Sequence, residues 1–397
     1  MPTSNRSNRS HLSDLRGAAR MTFDAAEATA EVVEKMHRTI QMRPSPLGVA
    51  EADRTSGITG FVYRCVRGGI RLVGKTIDVS LAPMTASLPE GEFSPARDAY
   101  RSVANGVYGD YLARTGNPLA INMSLRYRGQ RIDPGDPASV FEQHGNASLP
   151  SKLLLLVHGS CMNDRQWNRD GHDHGAALAG DLGYLPLYLR YNSGLHIANN
   201  GLLLAELLET LIGNCTTEVE ELAIIGHSMG GLVARSACHH GRAAGHTWPK
   251  VLRKLVFLGT PHHGSPLERA GHGLDRAMEW SPYSMPITRL GKARSAGITD
   301  LRHGVISADE EVVPLPSGVK CYAAAAVRTA KRNALSDRWV GDGLVPLDSA
   351  LGRHRDAERT LAIPKHRQWV GFKMGHRELL SHPGLYSQLH TWLKQAT

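Results

Sequence analysis

The sequence predicts an α/β fold with a mostly parallel central sheet and helices on both faces. From residue 119 onward, apolar runs alternate with segments of helical spacing, which is typical of strands joined by crossover helices. The runs are continuously apolar, as expected for strands that are buried on both faces. In addition, the glycine-flanked Ser228 stands between one such run and a helix-like segment.

The predicted strands and helices follow from these apolar patterns. Buried strands are predicted at 153–157, 185–189, 222–225, 255–258, 321–327 and 369–372, and the alternating residues 119–127 predict a half-exposed edge strand. Helices are predicted at 171–182, 198–213, 230–242 and 383–393. Between 264 and 315 the regularity gives way to Gly, Pro and Met. An insertion of that length after a strand is a candidate lid or acyl-binding cap.

Residues 1–118 are predicted to form an N-terminal helical extension, followed by the main α/β domain at 119–397. Three helices are expected in the extension, at 12–42, 57–82 and 96–113. The helix at 57–82 carries apolar residues at helical spacing and basic residues on another face. We expect it to pack on the main domain. Peripheral contact with a membrane or a polymer granule is the alternative.

Composition excludes several classes of function. The 397 residues carry a net charge of +9, but the basic residues are spread along the chain and no nucleic-acid-binding motif is present. Five cysteines without C-x-x-C spacing indicate neither a disulfide framework nor a zinc site. We therefore expect no nucleic-acid partner, no metal and no cofactor.

The amino-terminal residues indicate where in the cell the protein is expected. Residues 1–20 are polar and lack the apolar core of a secretory signal, and no stretch reaches about 18 uninterrupted apolar residues. A cytoplasmic protein is expected, with peripheral membrane association or a signal removed from this sequence as the alternatives.

Residues Gly226-His227-Ser228-Met229-Gly230-Gly231 predict a nucleophile elbow. They follow the apolar run 222–225 and precede the helix-like segment 232–237, which is the strand, turn and helix order of such an elbow. The glycines keep side chains away from the incoming strand and the outgoing helix. Ser228 would stand above the sheet, and the positive end of the helix would lie beneath an oxyanion formed there.

A serine nucleophile needs a base and an acid that orients the base. Asp342 lies in the glycine-flanked loop 341–346, and His376 lies between the last predicted strand and the closing helix. Rival acids are Asp309, in an acidic run typical of solvated surface, and Asp348. Other histidines, such as His240, His262, His263 and His366, are excluded as the base by their positions.

Two backbone donors are expected to hold the oxyanion. Met229 follows the nucleophile, and Ser160 lies in the loop that begins His158-Gly159 after an early strand. Asn192 follows the strand 185–189 and should open onto the same face, where it is either part of a polar loop or in contact with substrate.

These motifs resemble the lipase and esterase branch of the α/β-hydrolase family, over residues 119–397. The matching segments are His158-Gly159, Gly226–Gly231, Gly259-Thr260-Pro261-His262-His263-Gly264-Ser265, Gly341–Pro346 and Gly375-His376. The chain looks most like bacterial lipases and the GPI-inositol-deacylase type of hydrolase, which carry a similar Thr-Pro-His-x-Gly element lining the site. The resemblance implies serine-dependent ester hydrolysis and the same fold. No calcium ligand set of the kind that some bacterial lipases carry is evident.

The predicted site therefore combines catalytic Ser228, Asp342 and His376, oxyanion donors Ser160 and Met229, and substrate-binding His158, Asn192, His262 and His263. The leading hypothesis is hydrolysis of a carboxylic ester or lipid through an acyl-enzyme. A thioesterase, an intracellular polyester depolymerase or an acyltransferase would use the same triad. A non-catalytic binding module on a hydrolase scaffold is the alternative of another class.

Overall fold

The computed structural model describes residues 3–41, 57–85, 95–143, 151–265, 295–309, 312–330 and 341–395. The chain divides into two compact units. The first contains Met1–Ser94 and Arg114–Leu119, and the second contains Pro95–Ala113 and Ala120–Thr397.

The first unit contains two long helices, α1 (Thr3–Gln41) and α2 (Gly57–Thr85). Ion pairs join them, including Arg16 Nε to Asp78 Oδ1 at 2.7 Å and Arg67 Nη1 to Glu34 Oε2 at 2.6 Å. The two predicted helices are therefore present, with small shifts of their ends. In the described part of the chain, no helix combines the length and the apolar character needed to cross a membrane.

The third predicted helix, α3 (Pro95–Arg114), lies largely in the second unit. The Asp98 carboxylate near its start pairs with Arg190 at 3.0 Å, and the backbone oxygen of Gly109 accepts a 2.9 Å hydrogen bond from the Asn192 side chain. These buried contacts join α3 to the sheet. By contacts, Pro95–Ala113 therefore belongs with the sheet and Arg114–Leu119 with the first unit, and the domain boundary at residue 118 stays a prediction.

An eight-stranded sheet forms the centre of the second unit. Its strands are β1 (Ser124–Tyr127), β2 (Gln130–Ile132), β3 (Lys152–Val157), β4 (Leu185–Arg190), β5 (Glu221–His227), β6 (Leu252–Leu258), β7 (Lys320–Val327) and β8 (Gln368–Phe372). The order across the sheet is β2-β1-β4-β3-β5-β6-β7-β8. All neighbours from β4 to β8 pair in parallel, whereas β1 pairs antiparallel with both β2 and β4. The predicted mostly parallel sheet is confirmed.

The predicted edge strand at 119–127 differs from the structure. Only its second half is a strand, β1, and its four residues are all buried. The hairpin through Arg128 and Gly129, which both have positive φ, adds β2 as the actual edge. Because β1 is covered on both sides, its alternating sequence did not predict exposure correctly.

Helices cover both faces of the sheet. The second unit contains α4 (Ala138–Gln143), α5 (His174–Leu182), α6 (Ile197–Gly213), α7 (Met229–Ala243), α8 (Ala296–His303), α9 (Leu347–Ala350) and α10 (Pro383–Lys394), with short 3₁₀ helices at Asp164–Trp167, Trp248–Lys250, Ala357–Arg359, Lys365–Arg367 and His376–Leu380. Alternate residues of β3 point into two separate apolar cores, Leu153 and Leu155 into one and Leu154 and Leu156 into the other. This explains why the run is apolar without interruption, since burial of each such side chain contributes about 1.5–3 kcal/mol.

The predicted lid at 264–315 is described only in part. Residues 266–294 and 310–311 lie outside the described residues. The described part includes α8, whose N-terminus is capped by the Ser295 hydroxyl and whose C-terminus ends at Gly304 in the left-handed conformation. The lid itself stays a prediction.

Candidate active site

Ser228 occupies a tight turn between β5 and α7. Its φ of 54° and ψ of −125° lie outside the usual regions for a residue with a side chain. Its N–H donates a 2.8 Å hydrogen bond to Leu258 O on the neighbouring strand β6. The strand, turn and helix predicted around this serine are therefore present.

Two glycines permit this turn because the backbone approaches itself too closely for a side chain. A Cβ atom on Gly226 would lie 2.5 Å from the Cα of Gly231, and a Cβ on Gly230 would lie 2.1 Å from the backbone oxygen of Val157. Both distances are shorter than any real contact. The structure thus gives the physical reason for glycine on both sides of Ser228.

Asp342 and His376 form a buried hydrogen-bonded pair. The Nδ1 atom of His376 lies 2.6 Å from Asp342 Oδ2, and both residues are almost fully buried. The other carboxylate oxygen, Oδ1, accepts hydrogen bonds from the N–H groups of Leu344 at 2.9 Å and Val345 at 2.8 Å. These contacts fix the carboxylate against the imidazole.

The predicted triad residues all lie at the carboxyl edge of the sheet. Ser228 follows β5, Asp342 lies in the loop after β7, and His376 follows β8. Ser228 and His376 line the same pocket. A Cβ on Gly259, just after β6, would lie 2.9 Å from His376 Cε1, so the ring crosses over the end of the strand next to β5.

The two predicted oxyanion donors lie beside Ser228. Met229 is the first residue of α7, so its N–H has no partner within the helix. The loop after β3 passes directly over the nucleophile, since a Cβ on Gly159 would lie 3.0 Å from Ser228 Cβ. Ser160 follows in that loop and lines the pocket, and no hydrogen bond from its N–H is found within the described residues.

Comparison with known families agrees with this architecture. Residues 151–310 match the family model of the PGAP1-like alpha/beta domain, and this segment contains β3 to β6 with the elbow. The match, the sheet order and the elbow together decide the fold. The second unit has the α/β-hydrolase fold. The predicted resemblance to this superfamily is thus confirmed for the fold.

Solved structures with similarity to this chain include three hydrolases. The mature lipase BlEst2 of Bacillus licheniformis is 20% identical, with 68% of this chain and 97% of that chain covered and a TM-score of 0.42. The metagenomic carboxyl esterase MGS0156 is 17% identical (79% and 97% covered, TM-score 0.39), and an α/β-hydrolase fold protein of Chitinophaga pinensis is 15% identical (63% and 91%, 0.38). A search of curated protein sequences finds no match.

Two of the predicted substrate-binding residues support the walls of the α/β-hydrolase site instead of facing into it. His158 is fully buried and stacks on Tyr191 with ring centroids 4.3 Å apart. Burial lowers the pKa of His158 to about 4, so the ring is neutral. The Asn192 side chain bonds to Gly109 O and accepts from Gly194 N–H at 3.0 Å. Neither residue lines the pocket of Ser228, so the structure gives no support for the prediction that they contact substrate.

The other two, His262 and His263, point away from Ser228. Both line a second pocket with Arg235, while their neighbour Pro261 lines the first. The His262 ring packs edge-on against Phe257 at 4.6 Å. The structure therefore does not bring these two side chains to the triad. The sequence indicates where the strand ends, but it does not indicate the direction in which each following side chain points.

His227 was missed by the sequence reasoning. Its Nε2–H donates to the backbone oxygen of His376 at 3.2 Å, and it lines the pocket beside Ser228. Burial, and then the neighbouring His376, hold the pKa of His227 well below its usual value. His227 therefore stays neutral and adds no positive charge next to His376. The available signal is its place inside the elbow motif, directly before Ser228.

The remaining pocket wall is mainly apolar and was also missed. Its other lining residues are Cys161, Met162, Ser265, Ile298, Leu301, Leu344 and Val345. Leu344 and Val345 belong to the acid loop, so the loop that orients Asp342 also shapes the pocket. Ile298 and Leu301 come from α8, within the predicted lid.

No group of His, Cys, Asp and Glu side chains suited to a metal ion is found among the described residues. All five cysteines are free thiols.

Proposed function

We propose that the protein is a serine hydrolase that cleaves carboxylic esters through an acyl-enzyme. The α/β-hydrolase fold and the family match support ester hydrolysis in general. The proposal of an acyl-enzyme mechanism rests on the 2.6 Å contact between His376 Nδ1 and Asp342 Oδ2. His376 also lines the same pocket as Ser228.

Asp342 determines which nitrogen of His376 acts as the general base, because it selects the tautomer of the imidazole. The carboxylate oxygen of Asp342 accepts a hydrogen bond from Nδ1–H, which leaves Nε2 of neutral His376 as the proton acceptor. Because two backbone N–H groups hold Asp342, the imidazole keeps this orientation. His376 takes the proton of the Ser228 hydroxyl as its oxygen attacks the ester carbonyl.

Collapse of the tetrahedral intermediate completes the first half of the reaction. The protonated His376 gives its proton to the leaving alcohol, and the acyl group remains on Ser228 as an ester. In the second half, His376 removes a proton from water as the water oxygen attacks the acyl carbon. His376 then returns this proton to the Ser228 oxygen as the acyl–oxygen bond breaks, which releases the carboxylic acid and restores the serine hydroxyl.

The N–H groups of Met229 and Ser160 stabilise the oxyanion in both halves. The positive end of α7 lies at the same point and favours negative charge there. Donors of this kind contribute about 3–4 kcal/mol of barrier lowering each in serine hydrolases. The side chains of Met162, Ile298 and Leu301 provide an apolar surface for the acyl or alcohol part of the ester.

A fluorophosphonate probe tests this proposal because it reacts only with an activated serine. We expect covalent labelling of the full-length protein, located at Ser228 by peptide mass spectrometry. Ser228→Ala should lose the label. Ser387→Ala is the matched control, since Ser387 is an exposed serine on α10, and it should label like the wild type.

The same experiment separates an enzyme from a non-catalytic module. A folded wild-type protein that takes up no probe would favour a binding function for the hydrolase scaffold. Labelling at a serine other than Ser228 would reject the proposed nucleophile.

A further inference from the structure

The second pocket contains a buried arginine. Arg235 lies on α7, the helix that begins after Ser228, and is 5% exposed. Its Nη2 donates to the backbone oxygen of Val313 at 2.6 Å, and its Nη1 lies 3.3 Å from His262 Nδ1. Its Nε is buried and has no hydrogen-bond partner. The Nε–H group of the guanidinium therefore has no acceptor among the described residues.

No carboxylate in the described part of the chain pairs with Arg235. Burial lowers the pKa of Arg235 to about 10, and the thiols of Cys321 and Cys238 would raise it only if they were ionised. Burial raises the pKa of both thiols, that of Cys321 to about 12, so neither supplies a negative charge at neutral pH. A buried cation without a counter-charge is unfavourable, so a missing anion is expected.

His262 supplies a second unused donor. Its Nδ1 is placed to accept from the Arg235 guanidinium, so the neutral ring carries its proton on Nε2. Burial, and then Arg235, hold the pKa of His262 well below its usual value. The Nε2 atom is buried and has no hydrogen-bond partner. Arg235 and His262 thus each have a buried N–H donor without an acceptor among the described residues, and both residues line the second pocket.

The mouth of the pocket is basic as well. Arg359 and His303 line it and are exposed, so the exposed part of the pocket lining adds a second guanidinium. The lining residues are Arg235, His262, His263, His303, Gly304, Val305, Ile306, Val312, Val313, Arg359 and Leu361. This described lining contains no acidic side chain.

We propose that this second pocket is a binding site for a small oxyanion, held by Arg235 and His262 and approached past Arg359. A carboxylate or a phosphate group has the required chemistry, because either offers oxygens that accept from a guanidinium and an imidazole N–H. The site is separate from the pocket of Ser228, and its test does not depend on ester hydrolysis.

Isothermal titration calorimetry on the full-length protein tests the proposal. Sodium phosphate is titrated in one series and sodium acetate in another, both at constant ionic strength, to distinguish the two sources of the oxyanion. We expect saturable binding of one anion per chain in at least one series. Arg235→Gln should abolish it, and Arg359→Gln should weaken it about tenfold, since a lost charge-assisted hydrogen bond typically has an effect of that size.

Arg242→Gln is the matched control, because Arg242 is an exposed arginine on the same helix, and it should bind like the wild type. Arg359 is exposed, so its variant keeps the test informative if Arg235→Gln fails to fold. Absence of binding by the wild type, or unchanged binding by both Arg235→Gln and Arg359→Gln, would overturn the proposal.

An internal carboxylate is the competing occupant. Glu310 and Glu311 precede Val312 in the sequence and lie outside the described residues. If only the double variant Glu310→Gln, Glu311→Gln binds phosphate or acetate, the pocket is filled by the chain itself and the proposed site for a free anion is rejected.

Discussion

The two carboxylate oxygens of Asp342 have different hydrogen-bond partners. Oδ1 is held by the N–H groups of Leu344 and Val345, and Oδ2 accepts from His376. An amide in place of the carboxylate could keep the first set of contacts with its oxygen. Its NH₂ group would then face the imidazole and favour the wrong tautomer.

We expect Asp342→Asn to lower kcat by about 10³–10⁴-fold, because the proton would move to Nε2 and block the base. The measurement is steady-state hydrolysis of a p-nitrophenyl ester. Asp348→Asn is the matched control, since Asp348 is the rival acid and its side chain is 58% exposed. Equal losses in both variants, or less than about a tenfold loss in Asp342→Asn, would contradict the role assigned to Asp342.

At this scale the sequence predicted positions better than orientations. The glycine-flanked loops around Ser228 and Asp342 mark where a side chain can project, and the structure brings both residues to one edge of the sheet. His262 and His263 follow a strand in the same way, yet they point into the second pocket. The side chains of Asn192 and His158 bind backbone groups that lie 83 and 33 residues away in the sequence, and a local motif does not indicate such distant partners.

At the scale of elements, the elbow depends on how closely α7 approaches the strands. A Cβ on Gly230 would lie 2.1 Å from the backbone oxygen of Val157 and 2.6 Å from that of His158. Backbone atoms cannot relieve this clash by a rotamer change, as a side chain could. The start of α7 is therefore fixed against β3.

Gly230→Ala should lower the free energy of unfolding by about 1–3 kcal/mol, the usual cost of overpacking. Urea denaturation of the variant measures it. Gly180→Ala is the control: Gly180 lies inside α5 with open space around it, so alanine should stabilise by about 0.5–1 kcal/mol. A Gly230→Ala protein as stable as the wild type would show that the elbow is looser than the structure indicates.

The elements themselves were largely predictable. Strands buried on both faces read as unbroken apolar runs, and β3, β5 and β6 were located to within a few residues. The assignment of α3 was not predictable, because its attachment to the sheet rests on Asp98 and its partner Arg190, 92 positions later. Periodicity predicts a helix, but it does not predict the unit against which that helix packs.

For the whole molecule, buried neutral histidines predict a loss of stability in acid. Burial lowers the pKa of His158 and of His174 from 6.5 to about 4. Between pH 6.5 and 4 the unfolded chain therefore binds more protons than the folded one, and stability falls as the pH falls. Each histidine contributes at most about 3 kcal/mol to this loss.

Urea denaturation at several pH values across this window measures the effect. The unfolding free energy should decrease steadily below pH 6.5, and His158→Asn should show a shallower dependence. His366→Asn is the control, since His366 is exposed, and its pH dependence should match the wild type. Stability that is unchanged between pH 6.5 and 4 would contradict a buried, neutral His158.

Two predictions for the helix at 57–82 stay open. Contact of 57–82 with a membrane or granule stays a prediction, and the structure adds that α2 exposes Val62, Val66, Leu72 and Val73. The packing of 57–82 on the main domain also stays a prediction. The sequence showed an apolar face but could not show how much of it α1 would cover.

The most direct test of the central claim is the rate of ester hydrolysis by Ser228→Ala relative to the wild type and Ser387→Ala. We expect the wild type and Ser387→Ala to hydrolyse a p-nitrophenyl ester at the same rate. Ser228→Ala should lose at least about 10⁴-fold in kcat, because the acyl-enzyme cannot form. Wild-type turnover by a folded Ser228→Ala protein would contradict the central claim.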